Sequence, residues 1–218
     1  MIDLHTHSLF SDGELIPSEL VRRVEYLKYS AIAITDHADS SNLDFIVPRI
    51  VRVAEDLRRS QSVRVIPGVE LTHVPPSMIN DLVKQARELG AGIVIIHGES
   101  IVEPVAPGTN RAGIKAGADI LAHPGLISEG DVRLAAERDV FLEISGRAGH
   151  SFTNGHVARL AEKTGAGLIL NSDAHSPDDL MTEDFACKII EGAGLPADSF
   201  SILLSNTHLL LEKIGYSL

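Results

Sequence analysis

Short runs of Val, Ile and Leu alternate along this chain with longer segments of helical period, and that alternation limits the fold more than any other feature. The apolar runs lie at 2–7, 31–36, 63–71, 93–97, 120–123, 141–144 and 168–171. Helical patterns cover 17–28, 42–59, 77–89, 111–116, 129–138 and 155–163, followed by a last helix over 182–191 and a short C-terminal one over 206–214. Near-continuous apolar strands separated by helices indicate a parallel sheet covered on its outer face. Gly90, Gly165 and Gly215 follow helical segments, where a left-handed cap suits glycine. Seven such units with no internal linker predict a single α/β domain over 1–218, closed into a barrel. A doubly wound open sheet is the rival. The barrel is preferred because polar residues recur at the C-terminal ends of the strands. A barrel gathers those ends around one pocket, and an open sheet spreads them along a line.

Composition narrows the class. At 218 residues, 44% hydrophobic and 22% charged, the chain fits one soluble globular domain. Thirty acidic residues against 19 basic ones give a net charge of -11, which argues against a broad basic surface for extended nucleic acid. The single cysteine, Cys187, excludes an internal disulfide framework, fits a reducing, cytoplasmic setting and reads as a small core residue. No basic leader with a long apolar run opens the sequence, and no apolar stretch is long enough to span a bilayer, so no membrane partner is expected. Apolar content singles out no subunit interface, which leaves the oligomeric state open.

The ten histidines carry the chemistry. Strand one ends His5-Thr6-His7, and residues two apart in a strand point to the same side. Strand two runs into Ile34-Thr35-Asp36-His37, strand three ends near Glu70, strand four at His97 and strand five at His123-Pro124. The seventh runs into Asn171-Ser172-Asp173-Ala174-His175, and Asp12 sits in the Ser11-Asp12-Gly13 turn after strand one. Six imidazoles and three carboxylates are thus expected at one rim. Converging unpaired polar groups are costly to desolvate, and divalent ions offset that cost. Imidazole suits zinc, iron and manganese, and a carboxylate bridges two ions. Nine donors suit two or three ions, and phosphate ester hydrolysis is the reaction that best uses them.

These ordered motifs resemble those of the PHP (polymerase and histidinol phosphatase) family of metal-dependent phosphoesterases. The resemblance extends over essentially the whole chain. It implies a distorted seven-stranded (β/α)7 TIM-like barrel holding three divalent ions of zinc, manganese or iron. By similarity, His5, His7, Glu70 and Asp173 would hold one ion, Glu70, His97 and His123 a second, and Asp12, His37 and His175 a third. Water activated between ions would be the nucleophile, with no protein nucleophile required. Glu70, Asp173 and the rim residue Arg147 are the side chains expected nearest the reaction.

Other candidates carry less. Arg147, after strand six, could meet a substrate phosphate, and Arg111 has the same possibility. Glu143, inside strand six, is expected to orient a ligand or to be a satisfied structural carboxylate. Asp36 is expected to hydrogen-bond an imidazole. His150 is read as a surface histidine rather than a proton donor, His156 flanks the same loop, and His73 and His208 have no supporting context. The expected function is hydrolysis of a small phosphate monoester. The alternatives are a phosphodiesterase or exonuclease acting on short nucleotides, and a non-catalytic PHP interaction module.

Overall fold

The computed structural model describes residues 1–196 and 198–216. All strand pairs are parallel, in the order β1 (Ile2–Asp3), β2 (Ala31–Ile34), β4 (Arg64–Leu71), β5 (Ile93–His97), β6 (Ile120–Ala122), β7 (Phe141–Ser145), β8 (Leu168–Asn171). The two-residue β3 (His37–Ala38) pairs with β4 as well. Ala31 faces Arg64 and His37 faces Glu70, the same offset, so β3 continues β2 after a break at Thr35 and Asp36. The sheet is therefore seven-stranded. An isolated parallel bridge between Thr6 and Ala174 brings its two edges together as a nearly closed barrel.

Among the described residues eight helices cover the outside: α1 (Pro17–Tyr26), α2 (Leu43–Leu57), α3 (Pro76–Glu88), α4 (Thr109–Ala116), α5 (Glu129–Glu137), α6 (Asn154–Thr164), α7 (Glu183–Gly192) and α8 (Ser199–Lys213). Most match the periodicity, and Gly90 and Gly165 take the expected left-handed backbone, with φ of 100° and 77°. Two expectations are corrected. The C-terminal helix starts at Ser199 rather than near 206. Serines 199, 201 and 205 weaken its helical signal, and the hydroxyls of Ser201 and Ser205 donate to carbonyls three and four residues back. Cys187 is half-buried rather than a core residue.

Period-two alternation divides the core in two. Ile93 and Ile95 of β5 belong with Ile2, Leu4, Ala31, Ala33, Ile66, Ile120 and Ile169 to a cluster inside the barrel, which Leu210 and Leu211 of α8 plug from below. Val94 and Ile96 face outward into the larger core under the helices. Following the inward parity to the strand ends reaches His37, Glu70, His97, Glu143 and Asp173, so the alternation that builds the core also aims these side chains into the mouth.

The first strand breaks this rule. Ladder pairing stops at Asp3 instead of running to His7. Side chains replace the missing backbone partners: Asn171 Oδ1 accepts from Leu4 N, Asp3 Oδ1 from His5 N, and Thr35 Oγ1 from Thr6 N. The break shifts parity, so that Ile2 and Leu4 fill the barrel while His5 and His7 also reach its mouth.

Candidate metal centre

All nine predicted donors meet at the mouth. Each belongs to a group of three or four whose ligand atoms lie within 4.8 Å of one another. The imidazole Nε2 atoms of His5 and His7 face Glu70 Oε2 at 3.3 and 3.6 Å and Asp173 Oδ1 at 3.6 and 3.2 Å. On the other Glu70 oxygen converge His97 Nδ1 at 3.1 Å and His123 Nε2 at 3.6 Å. A third set pairs His37 and His175 Nε2 with Asp12 Oδ1 at 3.5 and 3.2 Å, and the two nitrogens lie 3.4 Å apart. Donors around a tetrahedral ion with bonds near 2.0–2.1 Å stand about 3.3–3.4 Å from each other. Three donor sets, two of them sharing Glu70, stand near that spacing.

The partners of Nδ1 differ among the rings. His5 Nδ1 lies 2.7 Å from Glu143 Oε2, His37 Nδ1 lies 2.6 Å from Thr72 Oγ1 and 2.7 Å from Glu70 Oε2, and His175 Nδ1 lies 3.0 Å from the Asp173 carbonyl and 2.7 Å from Arg147 Nη1. On His5 the Nδ1–H thus has a carboxylate acceptor and Nε2 is left as a lone pair aimed into the cluster, the arrangement of ligating histidines, whereas His175 Nδ1 accepts from the Arg147 guanidinium. Glu143 is therefore the orienting carboxylate. His97 differs, since each of its ring nitrogens faces a carboxylate, Nδ1 toward Glu70 and Nε2 toward Glu103 Oε2 at 2.9 Å.

A direct test of fit comes from buried polar atoms without a hydrogen-bond partner. Among the described residues there are nine, and seven of them belong to His5, His7 (both ring nitrogens), Glu70, His97, His123 and Asp173. Such atoms are rare in folded proteins, and here they collect on the side chains of the barrel mouth. Backbone strain collects there too. His73, His123 and Asp173 have φ of 52°, 28° and 55°, a region that non-glycine residues seldom enter.

Electrostatics shows the same lack of positive charge. Burial opposes charge on His5 and His97, yet the carboxylates around them win. Glu143, Asp173 and Glu70 hold the His5 pKa well above the imidazole range, and Glu70 and Glu103 raise that of His97 to about 10. Burial, with His37 and His5 alongside, holds His7 well below it. Burial pushes up the Asp173 carboxyl, whereas on Glu70 the surrounding His5, His37 and His97 overcome burial and hold the carboxyl well below its usual range.

Several weaker expectations change. Asp36 bonds no imidazole. Its fully buried carboxylate accepts from Ser8 N and Oγ and from Ser11 N and Oγ, at 2.7–3.0 Å. It thereby ties down the turn that carries Asp12. Gly13 closes that turn so tightly that a Cβ would stand 2.5 Å from the His7 carbonyl oxygen. Arg147 is half-buried at the rim, its Nη1 donating to the Asp173 carbonyl at 3.2 Å. Arg111 instead pairs with Asp131 on the outside. His150 is buried, not a surface residue, and His156 reaches the Ile127 carbonyl. Two residues escaped the sequence reading. His73, taken as without context, faces Glu103 at 3.1 Å, and Glu103 also approaches His97 and His150. Glu103 lies in the β5–α4 loop, where no periodicity marks it. Together with Asp12, His37, Asp173 and His175, these groups line a pocket of about 220 Å³.

Fold and site together define a class of parallel α/β barrels whose strand ends converge on imidazoles and carboxylates. The chain belongs to the PHP domain family, whose model matches residues 3–99. It is 50% identical, over 88% of its length and 89% of the relative's, to an uncharacterized protein of Methanocaldococcus jannaschii. It is 29% identical to ribonuclease P protein component 3 of Methanosarcina barkeri, covering 86% of this chain and 78% of that one. The 5'-3' exoribonuclease Rnm of Escherichia coli is 30% identical over 75% of this chain, which spans about half (48%) of that enzyme. Among solved structures, a chain of archaeal ribonuclease P with mature tRNA superposes with a TM-score of 0.73 at 18% identity, covering 99% of this chain and 92% of that one.

Proposed function

We propose that this protein is a metal-dependent phosphoesterase that hydrolyses a small phosphate monoester. His5, His7, Asp12, His37, Glu70, His97, His123, Asp173 and His175 would hold three divalent ions, with Glu70 shared between two of them. The observation that carries this reading is the set of partnerless buried ring nitrogens and carboxylate oxygens, spaced as ligands are. Bound zinc, manganese or iron would supply activated water and positive charge for phosphoryl oxygens.

The chain's own groups prepare the rest. Glu143 and Thr72 fix the tautomers of His5 and His37. Asp36 fixes the Asp12 turn. Arg147 presents its guanidinium to the pocket, where a planar fork suits a phosphate. At about 220 Å³, the pocket falls below the roughly 300–1,000 Å³ that buries a whole drug-sized ligand. It takes a phosphoryl group, and the remainder of the ester lies across the rim.

A second reading is favoured by the relatives named exoribonuclease and ribonuclease P component: the ester is the terminal phosphate or first linkage of a short RNA. The net charge of -11 supplies little to hold an extended strand. A screen of phosphorylated metabolites and a labelled RNA oligonucleotide, each with manganese, zinc or iron supplied, separates the two. Phosphate release from monoesters supports the first reading, and nucleotide release from the RNA alone supports the second. No turnover from an ion-free protein supports the non-catalytic module.

A further inference from the structure

Two imidazoles in the pocket wall, the exposed His73 and the buried His150, belong to none of the three donor sets. His150 opens the short 3-10 turn His150–Thr153 after β7 and is 5% exposed. Its ring stacks on His123, with centroids 3.9 Å apart and planes at 14°. Ser100, from the β5–α4 loop and also buried, places Oγ 2.7 Å from His150 Nδ1. A serine hydroxyl that donates there leaves the single proton of a neutral ring on Nε2. That nitrogen faces the pocket, 3.4 Å from Glu103 Oε1 and 4.0 Å from Asp173 Oδ2. Arg147 Nε approaches the same Asp173 oxygen at 3.9 Å. Two donors from different parts of the β7–α6 connection thus stop short of one oxygen at the heart of the cluster. Neither is engaged there at hydrogen-bond distance.

We propose that His150 is a substrate-contacting residue, whose Nε2–H donates to a phosphoryl oxygen beside Arg147, with Ser100 as the positioning residue that fixes its tautomer. The proposal rests on the phosphoesterase reading and gives that site a specificity it otherwise lacks. The pocket then recognises the phosphoryl group from two sides, by a fixed cation and by a neutral donor. No bond is made or broken at His150.

The test uses the full chain loaded with manganese and the probes inorganic phosphate and p-nitrophenyl phosphate. Bound metal per chain, the phosphate dissociation constant and KM are measured for the wild type, His150→Ala, His150→Gln and Ser100→Ala. Loss of one neutral hydrogen bond predicts that His150→Ala weakens phosphate binding and raises KM about tenfold. Metal content should stay unchanged. His150→Gln, whose amide keeps a donor, should recover most of the loss, and Ser100→Ala should lose about threefold. His150→Ala binding phosphate as the wild type does, at equal metal content, overturns the proposal. So does loss of metal from that variant, which would make His150 a support of the ions. A wild-type protein that holds no ions overturns the phosphoesterase reading itself, and the proposal with it.

Discussion

The two ends of the barrel are equally buried and chemically opposite. At the bottom, Ile2, Ile66, Ile93 and Ile120 interlock with Leu210 and Leu211, none more than 4% exposed. At the mouth, His5, Glu70, His123 and Asp173 are no more than 2% exposed, yet carry polar atoms with nothing to bond. Apolar burial stabilises a fold, and unpartnered polar burial opposes it. The same seven strands therefore do two jobs. Their first halves hold the protein together, and their ends hold a cluster that only added positive charge makes favourable.

Four substitutions or titrations separate the two ends. The largest effect is expected at the mouth. Asp173→Ala should cut phosphoester turnover about a thousandfold or more, since charge stabilisation at such a site is worth several kcal/mol. Its circular dichroism spectrum should remain that of the wild type. Ile93→Ala should do the reverse. It should lower unfolding free energy by about 2–5 kcal/mol in urea titration and leave kcat within about twofold. If Ile93→Ala instead destroyed turnover in the folded protein, the division between the ends would be wrong.

Asp36→Asn should act between these extremes. Losing a carboxylate that accepts from two serines frees the Asp12 turn without touching a ligand. Affinity for the ion assigned to Asp12, His37 and His175 should fall about 10- to 100-fold, read by metal analysis after dialysis. Retention of every ion at wild-type affinity would show that Asp36 serves only the loop.

The smallest effect is a proton count. With its pKa raised to about 10, metal-free His97 is protonated at neutral pH. Ion binding must displace that proton, so affinity should rise with pH. Calorimetry in buffers of different ionisation heat should record proton release at pH 7. The sign for stability follows from linkage. A raised folded-state value means that the His97 proton stabilises the metal-free protein fully below about 6.5, and the contribution disappears as pH climbs toward about 10. Zero proton release would contradict this.

Much of this architecture was legible in the sequence because two periodicities coincide. The inward alternation of Ile93 and Ile95 leads to His97, and that of Ala31 and Ala33 leads to His37. Reading the strand ends, with the Ser11-Asp12-Gly13 turn beside them, therefore picked out the nine side chains that meet at the mouth. What escaped depends on contacts between loops distant in sequence. Ser100 and His150 are 50 residues apart and meet only after the barrel forms. Glu103 sits in an irregular loop with no period to mark it. Asp36 is expected from the sequence to bond an imidazole, but its partners, Ser8 and Ser11, lie on the turn after β1. The early end of β1 also had no visible signal, since Asn171 and Thr35 side chains replace its ladder.

Counting divalent ions per chain, in protein never exposed to chelator and then supplied with manganese, zinc or iron, tests the central claim most directly. Three ions per folded chain, reduced by His5→Ala and by His175→Ala, is the result predicted here. A folded protein that retains no ion under any of these metals would contradict it.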